Sequence, residues 1–205
     1  SFMCFGVSNN CFSKFEPYIN KLTELELSDS KPTDCQSSQK ALSFIAEKGY
    51  LKWYRTLVQN LEDKNPGFNG WTPLHSAAKS GQVKVIQYII NFLKDKNPES
   101  KRGKTPLHLA ASYGHLDAVK LIASHLNTEN PKSSMGEKLT PLHEAAIQGH
   151  LNVVKYLVSA IRGNKNPIQG SGLTVTELAK RNNHFDIVAF YNWLAERKKE
   201  ICCLV

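Results

Sequence analysis

Three histidines recur at the same place in a repeated tetrapeptide, Thr-Pro-Leu-His, and a shared metal site is the first chemistry they suggest. They are His75, His108 and His143. If each tetrapeptide opens a helix, neighbouring helices lie about 8–10 Å apart, whereas zinc ligands must each lie about 2 Å from one ion. The histidines are therefore predicted to make a hydrogen bond that holds the turn together, and not to bind a metal.

The other chemical motifs in the sequence are each incomplete. His143-Glu144 begins the zinc pattern H-E-x-x-H, but Ile147 stands where the second histidine belongs. The segment 102–105, Arg-Gly-Lys-Thr, resembles the end of a phosphate-binding loop, but Pro98 occupies the position of its first glycine. We therefore predict no catalytic residues, no metal and no cofactor, and a protein that is not an enzyme.

The tetrapeptide recurs with a nearly constant spacing. It begins at Thr72, Thr105 and Thr140, and a degenerate version begins at Thr174, so the steps are 33, 35 and 34 residues. A second marker keeps this period and occurs at Gly49, Gly81, Gly114 and Gly149, with Asn183 in the last unit. These markers predict five repeats whose two outer members are atypical, as expected where end repeats face water.

Each unit is predicted to contain two helices. The threonine is placed as an N-cap, and the proline after it occupies the first turn, where a missing N–H costs nothing. Paired alanines let neighbouring first helices approach closely, and the glycine ends the first helix in a left-handed turn. A second helix with apolar spacing follows, and we expect the Asn-Pro pair at its far end to stop it.

Three of these units, G-W-T-P-L-H-S-A-A-K-S-G, G-K-T-P-L-H-L-A-A-S-Y-G-H and L-T-P-L-H-E-A-A-I-Q-G-H, resemble the ankyrin-repeat family, and the resemblance covers about residues 40–200. It implies an all-α solenoid of stacked antiparallel helix pairs with projecting turn or hairpin tips, whose concave face usually binds proteins. The family's usual Gly-Ala-Asp after the second helix is absent, and the apolar pattern continues through residues 91–93. We therefore predict second helices about one turn longer.

The repeats divide the chain into three parts. Residues 1–39 are an N-terminal flank, in which an apolar stripe favours a helix that caps the first repeat over a partner-binding helix, and the polar residues 28–39 are predicted to be a linker. Residues 201–205 are a C-terminal tail. The ankyrin-repeat domain covers residues 40–200, with units near 40–67, 68–100, 101–135, 136–169 and 170–200.

The tail has the C-a-a-X form of a prenylation signal and follows a basic cluster. Cys202 would carry the lipid, and Cys203 is a second lipidation candidate. We favour the end of the last helix or a truncation, because the motif is only four residues long and Val205 is not a usual last residue. A membrane partner is expected only if these cysteines are lipidated.

Charge and cysteine usage bear on partners and location. The five cysteines are odd in number and form no C-x-x-C pair, which favours free thiols in the cytoplasm. The formal net charge is +8. Three basic and five acidic residues give residues 1–39 a charge of −2, so the rest carries +10. This balance permits nucleic acid, acidic lipid or an acidic contact region of a partner protein, and it does not choose among them. The lack of a nucleic-acid-reading element argues against nucleic acid.

By the family's register, partner contacts are expected at the tips and at the ends of the first helices. The candidates are Trp71, Lys79, Lys101, Arg102, Lys104, Ser112, Tyr113, Lys138, Leu139, Ile147, Gln148 and Arg181. Trp71 and Tyr113 belong to the aromatic type enriched in binding hot spots, and packing over the neighbouring tip is the alternative for Trp71. Lys101, Arg102 and Lys104 place three positive charges on one tip, where a solvated loop is the alternative.

These features together predict a non-catalytic adaptor or scaffold that binds a partner protein on its concave face and tips. Two alternatives stay open. One is a targeting or regulatory ankyrin module of a larger protein, such as an enzyme or a channel. The other is an adaptor anchored to a lipid surface through the C-terminal Cys-Cys-Leu-Val. The sequence leaves the oligomeric state open, and a monomer is assumed.

Overall fold

Ten helices follow one another in the described part of the chain, and no strand occurs there. The computed structural model describes residues 35–59, 63–126, 132–134, 138–160 and 165–202, with side chains described from residue 40 to residue 197. The helices are α1 Cys35–Lys48, α2 Leu51–Val58, α3 Pro73–Lys79, α4 Val83–Ile90, α5 Pro106–Ser112, α6 Leu116–Ala123, α7 Pro141–Ile147, α8 Leu151–Ala160, α9 Val175–Arg181 and α10 Phe185–Cys202.

The helices form five helix–turn–helix pairs that stack side by side. The first helices (α1, α3, α5, α7 and α9) pack on one another in one row, and the second helices form a parallel row. Contacts are closest within the first row, where small residues such as Ala77 and Ala78 are fully buried. The first row therefore lies on the inner, concave side of the stack. The predicted all-α solenoid is confirmed.

The first helices begin with the predicted caps. Thr105 and Thr140 each accept a hydrogen bond on the side-chain oxygen from the backbone N–H of His108 and His143. The histidine Nδ1 accepts the backbone N–H of the same threonine, at 3.3 Å in α5 and 3.2 Å in α7. The predicted role of the histidine in holding the turn is confirmed.

A continuous apolar core, and not helix propensity, holds these short helices. The face of α4 formed by Val85, Ile86, Ile89 and Ile90 is fully buried. Burying one such side chain is worth about 1.5–3 kcal/mol. Helices of seven or eight residues would not persist alone in water, because nucleation of the first turn is costly. Each pair therefore depends on its neighbours, as in other solenoids.

Two of the second helices, α4 and α6, are shorter than predicted. α4 ends at Ile90, and α6 ends at Ala123. Leu93 N–H then bonds to the Ile90 carbonyl, and Leu126 N–H to the Ala123 carbonyl, in tightened turns. The Lys96 ammonium also donates to the Ile90 carbonyl oxygen. If the helix continued for another turn, that oxygen would instead accept a backbone N–H from the helix. The apolar residues that follow, such as Leu93, pack against the core from a turn.

The Asn-Pro pairs do not end the second helices, so that prediction was wrong. Asn97 Oδ1 accepts the backbone N–H of Leu107 at 2.9 Å, and Asn65 Oδ1 accepts that of Leu74 at 2.9 Å. These N–H groups lie in the first turn of α5 and α3, where a helix offers them no partner. Each asparagine therefore caps the first helix of the next repeat from outside.

The ends of the described region differ from the predicted boundaries. α1 begins at Cys35, so residues 35–39 are helical and do not belong to a linker. α1 has 14 residues where α5 has 7, and no Thr-Pro pair marks its start in the sequence. α10 continues to Cys202, through the first two residues of the predicted tail. The predicted capping helix and Cys203 lie outside the described residues.

Candidate protein-binding surface

The tips of the repeats form a connected ledge along the inner row. In the tip that precedes α3, Phe68 and Trp71 exchange two backbone hydrogen bonds of 2.9 Å. In the next tip, Ser100 N–H bonds to the Lys104 carbonyl at 2.9 Å. The two tips are joined by a bond from Lys101 N–H to the Asn69 carbonyl, at 3.1 Å. These bonds tie the backbones of the two neighbouring tips together.

Trp71 is half-buried, whereas the sequence analysis predicted an exposed aromatic residue that a partner would contact. Its ring stacks on His75 with centroids 5.3 Å apart. Its indole Nε1 donates to Ser76 Oγ at 2.9 Å. The indole N–H therefore already has a partner within the same repeat, and one face of the ring is covered. Another protein can therefore contact only part of the Trp71 side chain.

Lys104 lies apart from the other two basic residues of its tip. Its ammonium forms an ion pair with the buried Glu144 of the next repeat. Burial lowers the pKa of the Lys104 ammonium. The predicted set of three free positive charges is therefore corrected to two, because the Lys104 charge is compensated inside the protein.

The exposed charges of these tips include three cations and the carboxylate of Glu99, which accepts the backbone N–H of Ser134 at 2.7 Å. Lys101 and Arg102 are exposed, and Lys138 is exposed on the following tip. Within the part of the chain that the structure describes, none of the three forms an ion pair. A partner carboxylate would therefore meet them without displacing an internal acid.

The ends of the first helices bring two predicted residues together. Lys79 Nζ lies 5.8 Å from the centroid of the Tyr113 ring, in a cation–π contact between neighbouring repeats. Tyr113 is 50% exposed. Further along the row, Gln148 and Arg181 are exposed, while Ser112 and Ile147 are half-buried. Tyr113 is the most exposed aromatic residue among the candidates.

A second set of histidines, which the sequence analysis did not single out, ties the repeats together at these helix ends. His115 Nε2 bonds to the Lys79 carbonyl at 2.9 Å, and His150 Nε2 bonds to the Ser112 carbonyl at 3.0 Å. His184 Nε2 makes the same contact with the Ile147 carbonyl at 2.9 Å. The sequence signal is a histidine directly after Gly114, Gly149 and Asn183.

The tetrapeptide histidines make matching contacts at the tips. His108 Nε2 lies 2.9 Å from the Leu139 carbonyl, and His75 Nε2 lies 3.2 Å from the Lys104 carbonyl. Because Nδ1 accepts a backbone N–H, Nε2 carries the proton in the neutral ring. Burial lowers the pKa of His75, His108 and His143 to about 4. Both ends of α3, α5 and α7 are thus tied to a neighbouring repeat.

The comparison with protein families agrees with this architecture. The family model described as "Ankyrin repeats (3 copies)" matches residues 12–99, 42–134, 79–167 and 125–201. The chain belongs to the ankyrin-repeat family. The first match begins within the N-terminal flank, ahead of the predicted first repeat.

Two curated proteins are similar to part of this chain. Protein phosphatase 1 regulatory subunit 12A of Mus musculus and that of Rattus norvegicus are each 34% identical over 70 residues. The alignment covers 34% of this chain and 7% of each relative. The match therefore spans only a small part of the length of these relatives.

The ankyrin repeats present a surface suited to binding. Within the described residues, no three metal-ligating side chains come together. Across the same residues, every helix is too short or too polar to span a lipid bilayer. Ankyrin repeats are protein-interaction modules, and the inner face of this array combines exposed cations with an exposed tyrosine.

Proposed function

We propose that this protein is a non-catalytic adaptor that binds an acidic segment of a partner protein across its concave face. The observation that carries the proposal is the pair of exposed, unpaired cations Lys101 and Arg102 on the same inner face as Tyr113. The tips and the helix ends are separated by a first helix of seven residues, which is about 10 Å long. One extended segment or one helix of a partner spans that distance.

The two ends of this face have different energetic roles. Exposed cations mainly raise the association rate and select against basic partners, and they add little affinity. A half-exposed tyrosine buries a large apolar surface when a partner covers it, which is why such residues dominate binding energies. We therefore assign selectivity to Lys101 and Arg102, and most of the affinity to Tyr113 and the floor beside it.

The proposal is tested by capture of partner proteins from native lysate, with identification by mass spectrometry. The test variant is Lys101→Glu combined with Arg102→Glu, which leaves the Lys104–Glu144 ion pair intact. The matched control is Lys52→Glu combined with Lys84→Glu, which changes the net charge equally on the exposed outer row. A partner retained by the control and lost by the test variant supports the adaptor. A partner captured equally by both variants contradicts the site.

A regulatory module of a larger protein is the second candidate, and the similarity to phosphatase regulatory subunits favours it. If the shared ankyrin repeats carry a shared function, protein phosphatase 1 is a partner. Titration of purified protein phosphatase 1 tests this directly. Binding by the wild type that weakens at least tenfold in Lys101→Glu with Arg102→Glu supports the candidate, and no binding rejects it. A cytoplasmic location and lipidation at Cys202 stay predictions.

A further inference from the structure

An apolar groove lies on the outer side of the solenoid, between α8 and α10. Its volume is about 650 Å³. Its apolar lining consists of Leu151, Val158, Phe190, Trp193 and Leu194. Because α8 and α10 belong to the second row of helices, the groove faces away from the concave surface. It is therefore separate from the proposed partner site.

The groove exposes aromatic surface within the described part of the chain. Trp193 is 47% exposed, and its ring stacks with the half-buried Phe190 at a centroid distance of 6.2 Å. Val158 forms part of the floor and is 3% exposed. Tryptophan of this exposure, beside other apolar side chains in a concave site, is typical of protein interfaces.

Positive charge surrounds this apolar floor. Lys155 Nζ lies 5.8 Å from the Phe190 ring centroid, and the Arg197 guanidinium lies 4.7 Å from that of Trp193. Lys165 also lines the groove, where Asp186 is the one acidic residue in the lining. Among the described residues, none of these three cations forms an ion pair. The rim is therefore electrostatically complementary to carboxylates.

We propose that this groove is a second protein-binding site that holds an amphipathic helix with an acidic flank. A groove between two helices accepts the apolar stripe of a third helix at positions i, i+3, i+4 and i+7. Acidic residues beside that stripe would then meet Lys155, Lys165 and Arg197. A partner bound here leaves the concave face free, so the protein can bring two partners together.

A labelled peptide tests the proposal. The probe is a designed helical peptide of about 18 residues, long enough to form a helix on binding, with leucines at i, i+3, i+4 and i+7 and glutamates on both sides. Its twin carries lysines in place of the glutamates. Fluorescence anisotropy with the full chain should show the acidic peptide binding at least tenfold more tightly than the twin. Equal binding of the two peptides would overturn the proposal.

Matched variants separate the groove from other surfaces. Trp193→Ala and Lys155→Glu change exposed side chains and should each weaken peptide binding at least tenfold. Phe92→Ala and Lys84→Glu change exposed residues elsewhere on the second row and should have no effect. Lys101→Glu with Arg102→Glu should also leave peptide binding unchanged, so this test is independent of the concave site. Circular dichroism checks that every variant is folded.

Two other occupants have distinct signatures. If the groove binds a second copy of the chain, sedimentation will show a dimer that Trp193→Ala dissociates. If the groove binds a membrane, vesicles of phosphatidylcholine and phosphatidylserine will bind the wild-type protein and Trp193→Ala will weaken that binding. The acidic peptide will then not bind the protein. Either result overturns the proposal in favour of that occupant.

Discussion

Buried neutral histidines make the stability of individual repeats depend on pH. His75, His108 and His143 each accept a backbone N–H on Nδ1, so protonation removes an acceptor from a buried turn. Burial lowers their pKa from 6.5 to about 4. Between pH 6.5 and about pH 4, these histidines are mostly protonated in the unfolded chain and mostly neutral in the folded protein. The free energy of unfolding therefore falls as the pH falls from 7 towards 4.

The first prediction follows from this difference. The free energy of unfolding in urea should be lower at pH 5 than at pH 7, by about 1–2 kcal/mol for each of the three histidines. Carboxylates contribute little in this range because most stay ionised at pH 5. His108→Gln removes one of the groups and should show a shallower pH dependence. Equal stability at the two pH values would contradict the assignment.

Gly114, at the end of α5, adopts a left-handed backbone conformation and also leaves room for the His150 ring. A matched pair of substitutions separates these two roles. Gly114 has a φ of +74°, and an added Cβ would lie 2.5 Å from His150 Nδ1. Gly172 has a φ of +87°, and its Cβ would meet no atom within 4 Å. A left-handed alanine costs about 1–2 kcal/mol. Gly172→Ala should lose about that amount, and Gly114→Ala should lose more.

Urea unfolding of both glycine variants measures this difference. The additional loss at Gly114 should come with a displaced His150 ring, visible as a change in its NMR chemical shifts. Equal losses at the two positions would show that the histidine contact does not constrain Gly114.

At the scale of elements, the connection between repeats depends on asparagine side chains. Asn97 Oδ1 holds the N–H of Leu107, a fully buried residue in the first turn of α5. Asn97→Ala leaves that donor without its partner and should cost about 1–3 kcal/mol. Asn152→Ala, at an exposed position in α8, serves as the control and should change stability little. Similar unfolding midpoints for the two variants would contradict the capping role.

Sequence reasoning worked where the determinants of an element are local. The Thr-Pro-Leu-His segments predicted where α3, α5 and α7 begin, because the N-cap and the first-turn proline act within four residues. The ends of α4 and α6 were misjudged, because apolar residues such as Leu93 cover the core equally well from a helix or from a turn. Periodicity alone cannot distinguish the two.

The candidate site was harder to predict because its state depends on contacts between repeats. Lys104 was predicted to be free, and its partner Glu144 is 40 residues away in the sequence. The bond of His115 to the Lys79 carbonyl spans 36 residues. Lys101 and Arg102 are exposed, as expected of a tip, because the turn directs them away from the stack. The nature of the partner is not encoded in these contacts.

At the scale of the whole molecule, repeats that contact only their neighbours leave both sides of the stack available for binding. The inner side carries Lys101, Arg102 and Tyr113, and the outer side carries the groove beside Trp193. The ties formed by the two sets of histidines keep neighbouring repeats in register, so residues from different repeats form one surface. An adaptor requires such a rigid surface, because ordering a flexible one would reduce its affinity.

Photo-crosslinking tests the central claim, that the concave face binds the partner, most directly. A photoreactive phenylalanine replaces Tyr113 on the inner side in one sample and Phe92 on the outer side in another, both of which are exposed in the structure. The captured partner should crosslink from position 113 and not from position 92. The Lys101→Glu and Arg102→Glu changes should weaken the crosslink from position 113, because the reversed charges repel an acidic partner. Crosslinking from position 92 without crosslinking from position 113 would contradict the concave binding site.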